Sequence, residues 1–66
     1  MEIKRLRVQA NLTQMQVAEA VHVDRSTVAY WESGTAMPRS ELLPRLADLF
    51  DCTIDALFGR ESKDTA

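Results

Sequence analysis

Residues 14–33, QMQVAEAVHVDRSTVAYWES, constrain this chain more tightly than any other stretch. Val17, Ala18 and Val21 stand at i, i+1 and i+4, the spacing of an apolar stripe along one side of a helix. Val28 and Trp31 make a second stripe, three residues apart, after a break at His22-Val23-Asp24. The pattern predicts two short helices joined by a three-residue turn, with the small Ala18 where they cross. The outer face of the second helix then carries Arg25, Ser26, Ala29 and Tyr30, side chains suited to a DNA groove.

The flanking segments read as three more helices. Ile3, Leu6 and Ala10 recur at i, i+3 and i+7, so residues 2–10 form a first amphipathic helix that breaks at Asn11-Leu12. Thr13 is placed to cap the second helix through its hydroxyl, and His22 stands where that helix needs a left-handed residue to end. Asp24 is the expected cap of the third helix, which runs to Ser33 and closes at Gly34. After a loop over residues 35–39, Ser40 is the expected cap of a fourth helix, with Glu41 in its positive first turn. Leu43, Leu46, Ala47 and Phe50 give that helix its apolar face, while Pro44 removes one backbone bond near its start. Thr53 caps a last short helix with Ile54, Leu57 and Phe58 inward, ended by Gly59. The expectation is an all-α, compact five-helix domain over residues 1–59. Residues 60–66, RESKDTA, lack an apolar anchor and are expected to form a flexible tail.

Composition narrows the function classes. A chain of 66 residues makes one domain and buries only about 60% of the surface its unfolded form exposes. Its 45% hydrophobic and 27% charged residues suit a globular fold rather than a disordered one. The single cysteine excludes an internal disulfide framework and fits a reducing compartment. No apolar run approaches the roughly 18 residues of a membrane span, and Met1-Glu2-Ile3-Lys4 begins no signal peptide, so a cytoplasmic location is expected. One Cys and one His are too few ligands for zinc. With no nucleophile motif and no glycine-rich phosphate loop, neither an enzyme nor a cofactor, metal or small-molecule substrate is expected. The net charge of −2 opposes nucleic-acid binding, but it is unevenly spread. Residues 1–39 set Lys4, Arg5, Arg7, Arg25 and Arg39 against Glu2, Glu19, Asp24 and Glu32. Residues 40–66 set Arg45, Arg60 and Lys63 against Glu41, Asp48, Asp51, Asp55, Glu61 and Asp64, so the acidic excess lies in the half that would face away from DNA.

Taken in order, Leu12-Thr13-Gln14, Val17-Ala18, Val21, Val23, Arg25-Ser26-Thr27-Val28, Trp31-Glu32-Ser33-Gly34 and Pro38 resemble the lambda-repressor-like (Cro and XRE-type) helix-turn-helix family. Leu43, Leu46-Ala47, Phe50 and Thr53-Ile54-Asp55-Ala56-Leu57-Phe58-Gly59 are similar to that family's fourth and fifth helices. The match covers residues 2–59. It implies a five-helix DNA-binding domain with a central helix-turn-helix, acting as a homodimer on double-stranded DNA at a near-palindromic operator. Its third helix would enter the major groove, with half-sites about 34 Å apart. The resemblance gives base reading to Arg25, Ser26 and Tyr30, and phosphate contact to Gln14. It also implies an ion pair, Arg7 with Glu32, that ties the first helix to the third. Three positions depart from the family pattern: His22 replaces the usual turn glycine, Asp24 the usual Ser or Thr cap, and Thr35-Ala36 the lysine that often follows the glycine.

The chemistry of these side chains supports more than one role. The planar fork of Arg25 pairs with O6 and N7 of guanine, a contact that gives about 1–3 kcal/mol of discrimination. Thr13, Gln14, Thr27 and Arg39 are candidate phosphate ligands, the first two at a helix N-terminus that favours anions. The Tyr30 ring suits either a groove or a lid over Trp31, which itself reads as core. Leu57 and Phe58 suit either the core or a dimer interface. His22 reads as a turn residue before a pH sensor, and Cys52 as a small buried hydrophobe. Two functions therefore stand side by side: a DNA-binding transcriptional regulator, most simply a repressor, or a protein-interaction or antitoxin module on the same fold.

Overall fold

Each of the five apolar stripes becomes a helix. In the computed structural model, which describes residues 1–60, α1 spans Ile3–Gln9, α2 Gln14–Val21, α3 Arg25–Ser33, α4 Leu43–Phe50 and α5 Ile54–Leu57. A 3-10 turn, Ser40–Leu42, precedes α4, and no strand occurs among the described residues. The expected tail lies outside the described residues from residue 61 onward. Its first residue, Arg60, instead closes α5, its N–H donating to the Asp55 carbonyl at 2.9 Å. No described helix is long and apolar enough to cross a membrane.

All five helices stop in the same way. Asn11, His22, Gly34, Asp51 and Gly59 take left-handed φ of 60°, 61°, 85°, 56° and 77°. The N–H of each following residue then donates to the carbonyl five residues back: Leu12 to Arg7, Val23 to Ala18, Thr35 to Tyr30, Cys52 to Ala47 and Arg60 to Asp55. These bonds satisfy carbonyls that a helix end leaves without partners. Only two of the five positions are glycine. The others use His, Asn and Asp, the side chains that tolerate this region best, at a strain of about 1 kcal/mol each.

Helix starts are less uniform. Thr13 forms a capping box with Gln16: the Thr13 hydroxyl accepts from the Gln16 N–H at 3.0 Å, and the Gln16 side-chain oxygen accepts from the Thr13 N–H at 2.8 Å. Thr53 caps α5 by accepting from the Ala56 N–H at 3.1 Å. Asp24 departs from expectation. It occupies the cap position of α3, yet its carboxylate makes no cap bond, and the N–H groups of Thr27 and Val28 go to its main-chain carbonyl. Ser40 departs too, for it begins the 3-10 turn and caps nothing. The cause is Pro44, which has no N–H to donate to the Ser40 carbonyl, so the Leu43 N–H takes that acceptor in a tighter i+3 bond. The regular helix then starts with the proline in its first turn, where a missing N–H costs little.

The core gathers at the centre of the bundle. Ile3, Val17, Val28, Leu46 and Leu57, one from each helix, are completely buried. Leu6, Ala18, Val21, Trp31, Leu42, Ala47 and Phe50 surround them, and Cys52 is half-buried against the cluster. Leu57 is thus core rather than interface. The expected inward roles of Ile54 and Phe58 do not hold, since these side chains are 40% and 39% exposed. A single turn of helix has only a narrow inward arc, and Ala56 and Leu57 occupy it. The Glu2 N–H donates to the Leu57 carbonyl at 2.8 Å, fastening the start of the chain to α5.

Candidate nucleic-acid interface

The packing of α2 on α3, the most extensive between any two helices, decides what those helices show to solvent. Val28 and Trp31 turn into the core, so the opposite arc of α3 carries Arg25, Ser26 and Tyr30, all exposed. The Tyr30 ring is 53% exposed, while Trp31 beside it is only 4% exposed. Thr27 lies at the edge of this arc, half-buried. Thr13 is exposed at the start of α2, where its hydroxyl oxygen already accepts the Gln16 N–H and its own O–H remains available to an acceptor. Arg39 stands apart on the loop before the 3-10 turn, three-quarters exposed, its Nε 3.8 Å from a Glu41 carboxylate oxygen. At that exposure the pairing adds little stability.

Beneath the exposed arc lies a connected set of polar side chains. Arg7 donates from Nε to Glu32 Oε2 at 2.6 Å and from Nη2 to Oε1 at 3.3 Å. Its Nη1 donates to the Leu12 carbonyl at 2.9 Å, so α1, the α1–α2 connection and α3 are joined through one guanidinium. The two side chains are only 14% and 7% exposed. Gln14, half-buried, donates from Nε2 to Glu32 Oε1 at 3.0 Å. The Gln14 oxygen in turn accepts from Arg25 Nη1 at 3.1 Å. The structure therefore joins Arg7, Glu32, Gln14 and Arg25 in one line from the core margin to the surface. Thr13 adjoins Gln14 in the chain, and Ser26, Thr27 and Tyr30 follow Arg25 along α3. No hydrogen bond or ion pair links Arg39 to this line.

Burial pushes the Glu32 carboxyl up, but hydrogen bonds from Arg7 and Gln14 and the charges of Arg7 and Lys4 outweigh it and hold the group below the ordinary value of 4.5. A carboxyl depressed in the folded state stabilises that state above its unfolded pKa, and the contribution disappears as pH falls through the folded value. The domain should therefore lose stability on acidification below about pH 4.5, where the unfolded chain takes a proton at Glu32 before the folded one does. Denaturant midpoints measured from pH 7 downward should show wild type above Glu32→Gln at neutrality. That gap should close in acid, and a gap independent of pH would contradict the assignment.

Sequence reasoning identified the members of this line but not the line itself. The partner of Thr13 was legible in the Thr-x-x-Gln spacing of residues 13–16, a capping-box signature. The bonds from Gln14 to Glu32 and Arg25 join residues 18 and 11 apart and follow no local spacing rule.

Comparison with known proteins agrees with this geometry. A family model described as helix-turn-helix matches residues 3–57. The chain is 45% identical over 62 residues to the HTH-type transcriptional regulator AnsR of Bacillus subtilis, covering 92% of this chain and 53% of that protein. It is 40% identical over 60 residues to the HTH-type transcriptional activator BcrR of Enterococcus faecalis, covering 91% of this chain and 29% of that protein. The cryptic phage CTXphi transcriptional repressor RstR of Vibrio cholerae is 35% identical over 54 residues, 82% of this chain and 48% of its own length. The chain thus spans about half or less of the length of each of these relatives. No solved structure matches it. With the turn, the crossing and the two packed helices all in place, the chain belongs to the Cro/C1-type helix-turn-helix family.

Proposed function

We propose that residues 1–59 form the DNA-binding domain of a cytoplasmic transcriptional regulator, which lays α3 in the major groove of double-stranded DNA. The observation that carries this reading is Arg25, exposed at the first position of α3 and held there by Gln14. Arg25, Ser26 and Tyr30 face the bases. Thr13, Gln14, Thr27 and Arg39 meet phosphates on either side, with Thr27 reaching only from the margin because it is half-buried. One short helix contacts too few base pairs to define a site, so the domain acts as a homodimer on a near-palindromic operator with half-sites about 34 Å apart. The dimer surface uses Phe58 and Ile54, the exposed apolar side chains of α5. Occlusion of a promoter, hence repression, is the simplest regulatory outcome of such binding.

Selection of bound sequences from a random duplex pool, at two salt concentrations and with Arg25→Ala alongside, tests the reading. A palindromic motif is expected, with affinity falling steeply as salt rises because counterions are released. Arg25→Ala should lose preference at one position of each half-site while remaining folded. Failure of the folded wild-type protein to enrich any sequence at low salt would favour the protein-interaction reading instead.

A further inference from the structure

We infer that Asp24 is a specificity-determining residue: its carboxylate admits cytosine at one position of the half-site and penalises the other bases there. This inference rests on the reading of α3 as the helix that enters the major groove. Asp24 is exposed and stands at the cap position of α3, directly before Arg25. The Thr27 and Val28 N–H groups donate to its main-chain carbonyl at 3.0 and 3.4 Å, so the side chain is not needed to close the helix start. Among the described residues its carboxylate makes no hydrogen bond and no ion pair. The neighbouring guanidinium does not take it either, because adjacent positions do not face each other and Arg25 reaches back to Gln14 Oε1 at 3.1 Å. Two opposite charges therefore stand in succession at the start of α3, and the negative one has no partner among the described residues.

A recognition helix meets base edges with its N-terminal residues. A carboxylate only accepts hydrogen bonds, and DNA offers it mostly further acceptors: guanine O6 and N7, adenine N7, thymine O4 and the phosphate oxygens. Against these Asp24 would give up water and gain nothing in return. Cytosine is the exception, since its N4 amino group donates into the major groove with no acceptor beside it on the same base. Adenine also donates, from N6, but its N7 acceptor adjoins and repels the second carboxylate oxygen. The Arg25 fork favours guanine by the opposite chemistry. An acidic and a basic side chain in succession thus select G·C pairs of defined orientation. Asp24 does so mainly by exclusion, weakening wrong sites more than it strengthens the right one. Discrimination is a difference of affinities, and a repulsion at the competitor widens it.

Asp24→Asn tests this, because asparagine has the same shape, remains a good cap and carries no charge. Binding is measured to the selected operator, to duplexes carrying the other base pairs at each half-site position, and to random duplex. In Asp24→Asn the preference for cytosine should fall about tenfold at one position, distinct from the one that Arg25→Ala relaxes. Adenine should gain most there, because its N6 and N7 suit an amide. Random duplex should bind about threefold more tightly, the scale of one exposed charge interaction. The melting temperature should stay near that of wild type, since no cap bond is lost. An even change of affinity across all base pairs would overturn the proposal and leave Asp24 a charge that only tunes affinity. Weaker binding of Asp24→Asn to random duplex would overturn it as well. If wild type enriches no sequence and Arg25→Ala relaxes no position, the groove reading of α3 falls instead, so the two failures are distinct.

Discussion

Replacing Arg7 by methionine is expected to destabilise the domain by about 3 kcal/mol, a large share of what a chain this small can hold. The guanidinium carries three hydrogen bonds, two to Glu32 and one to the Leu12 carbonyl. Methionine preserves most of the aliphatic packing and removes the charge, which leaves the Glu32 carboxylate 7% exposed with only Gln14 donating to it. The penalty is that of a stranded charge rather than of a lost attraction. At about 4–8 °C per kcal/mol for a domain near this size, the melting temperature should drop by about 12–24 °C. Adding Glu32→Leu to Arg7→Met should recover part of the loss, because the unpaired charge goes with it. A loss below about 1 kcal/mol would mean that the pair behaves as an exposed salt bridge.

Leu57→Ala should rank beside it, at about 2–5 kcal/mol, because it opens a cavity at a side chain with no exposure. Phe58→Ala, one residue on, should change monomer stability by less than about 1 kcal/mol. Phe58 is 39% exposed, with the Arg60 guanidinium 5.9 Å from the centre of its ring. If Phe58 lies at the dimer contact, its loss should instead weaken self-association and operator binding. Urea midpoints and sedimentation of the two variants separate these effects. Equal destabilisation by both would mean that α5 buries both side chains in solution.

The contrast between Leu57 and Phe58 shows where sequence reading ran out. In α2 and α3 the apolar stripes continue for two turns, and Val17, Ala18, Val21, Val28 and Trp31 were assigned inward and lie inward. In α5 the pattern Ile54, Leu57, Phe58 has only four helical residues behind it, so spacing alone could not choose among them. Stop signals were legible at His22, Gly34 and Gly59, and at the Asn11-Leu12 break. Asp51 carries no comparable stop signal in the sequence, although it takes the same left-handed form as the others. Asp24 was placed at the right position with the wrong bond, since composition favours a residue at a cap without saying which of its atoms will be used. Pro44 was recognised as a disturbance, but its remedy, a 3-10 turn drawing Ser40 into a tighter bond, depends on how the chain enters the core.

The single main-chain bond from Glu2 to Leu57 has a further consequence. It brings the two ends of the folded unit together, so that polypeptide added before Glu2 or after the α5 closure would leave from neighbouring points. A domain with adjoining ends can be spliced into or appended to larger proteins without rerouting its own chain. The arrangement makes this bundle portable, a reading head that can be carried by very different bodies.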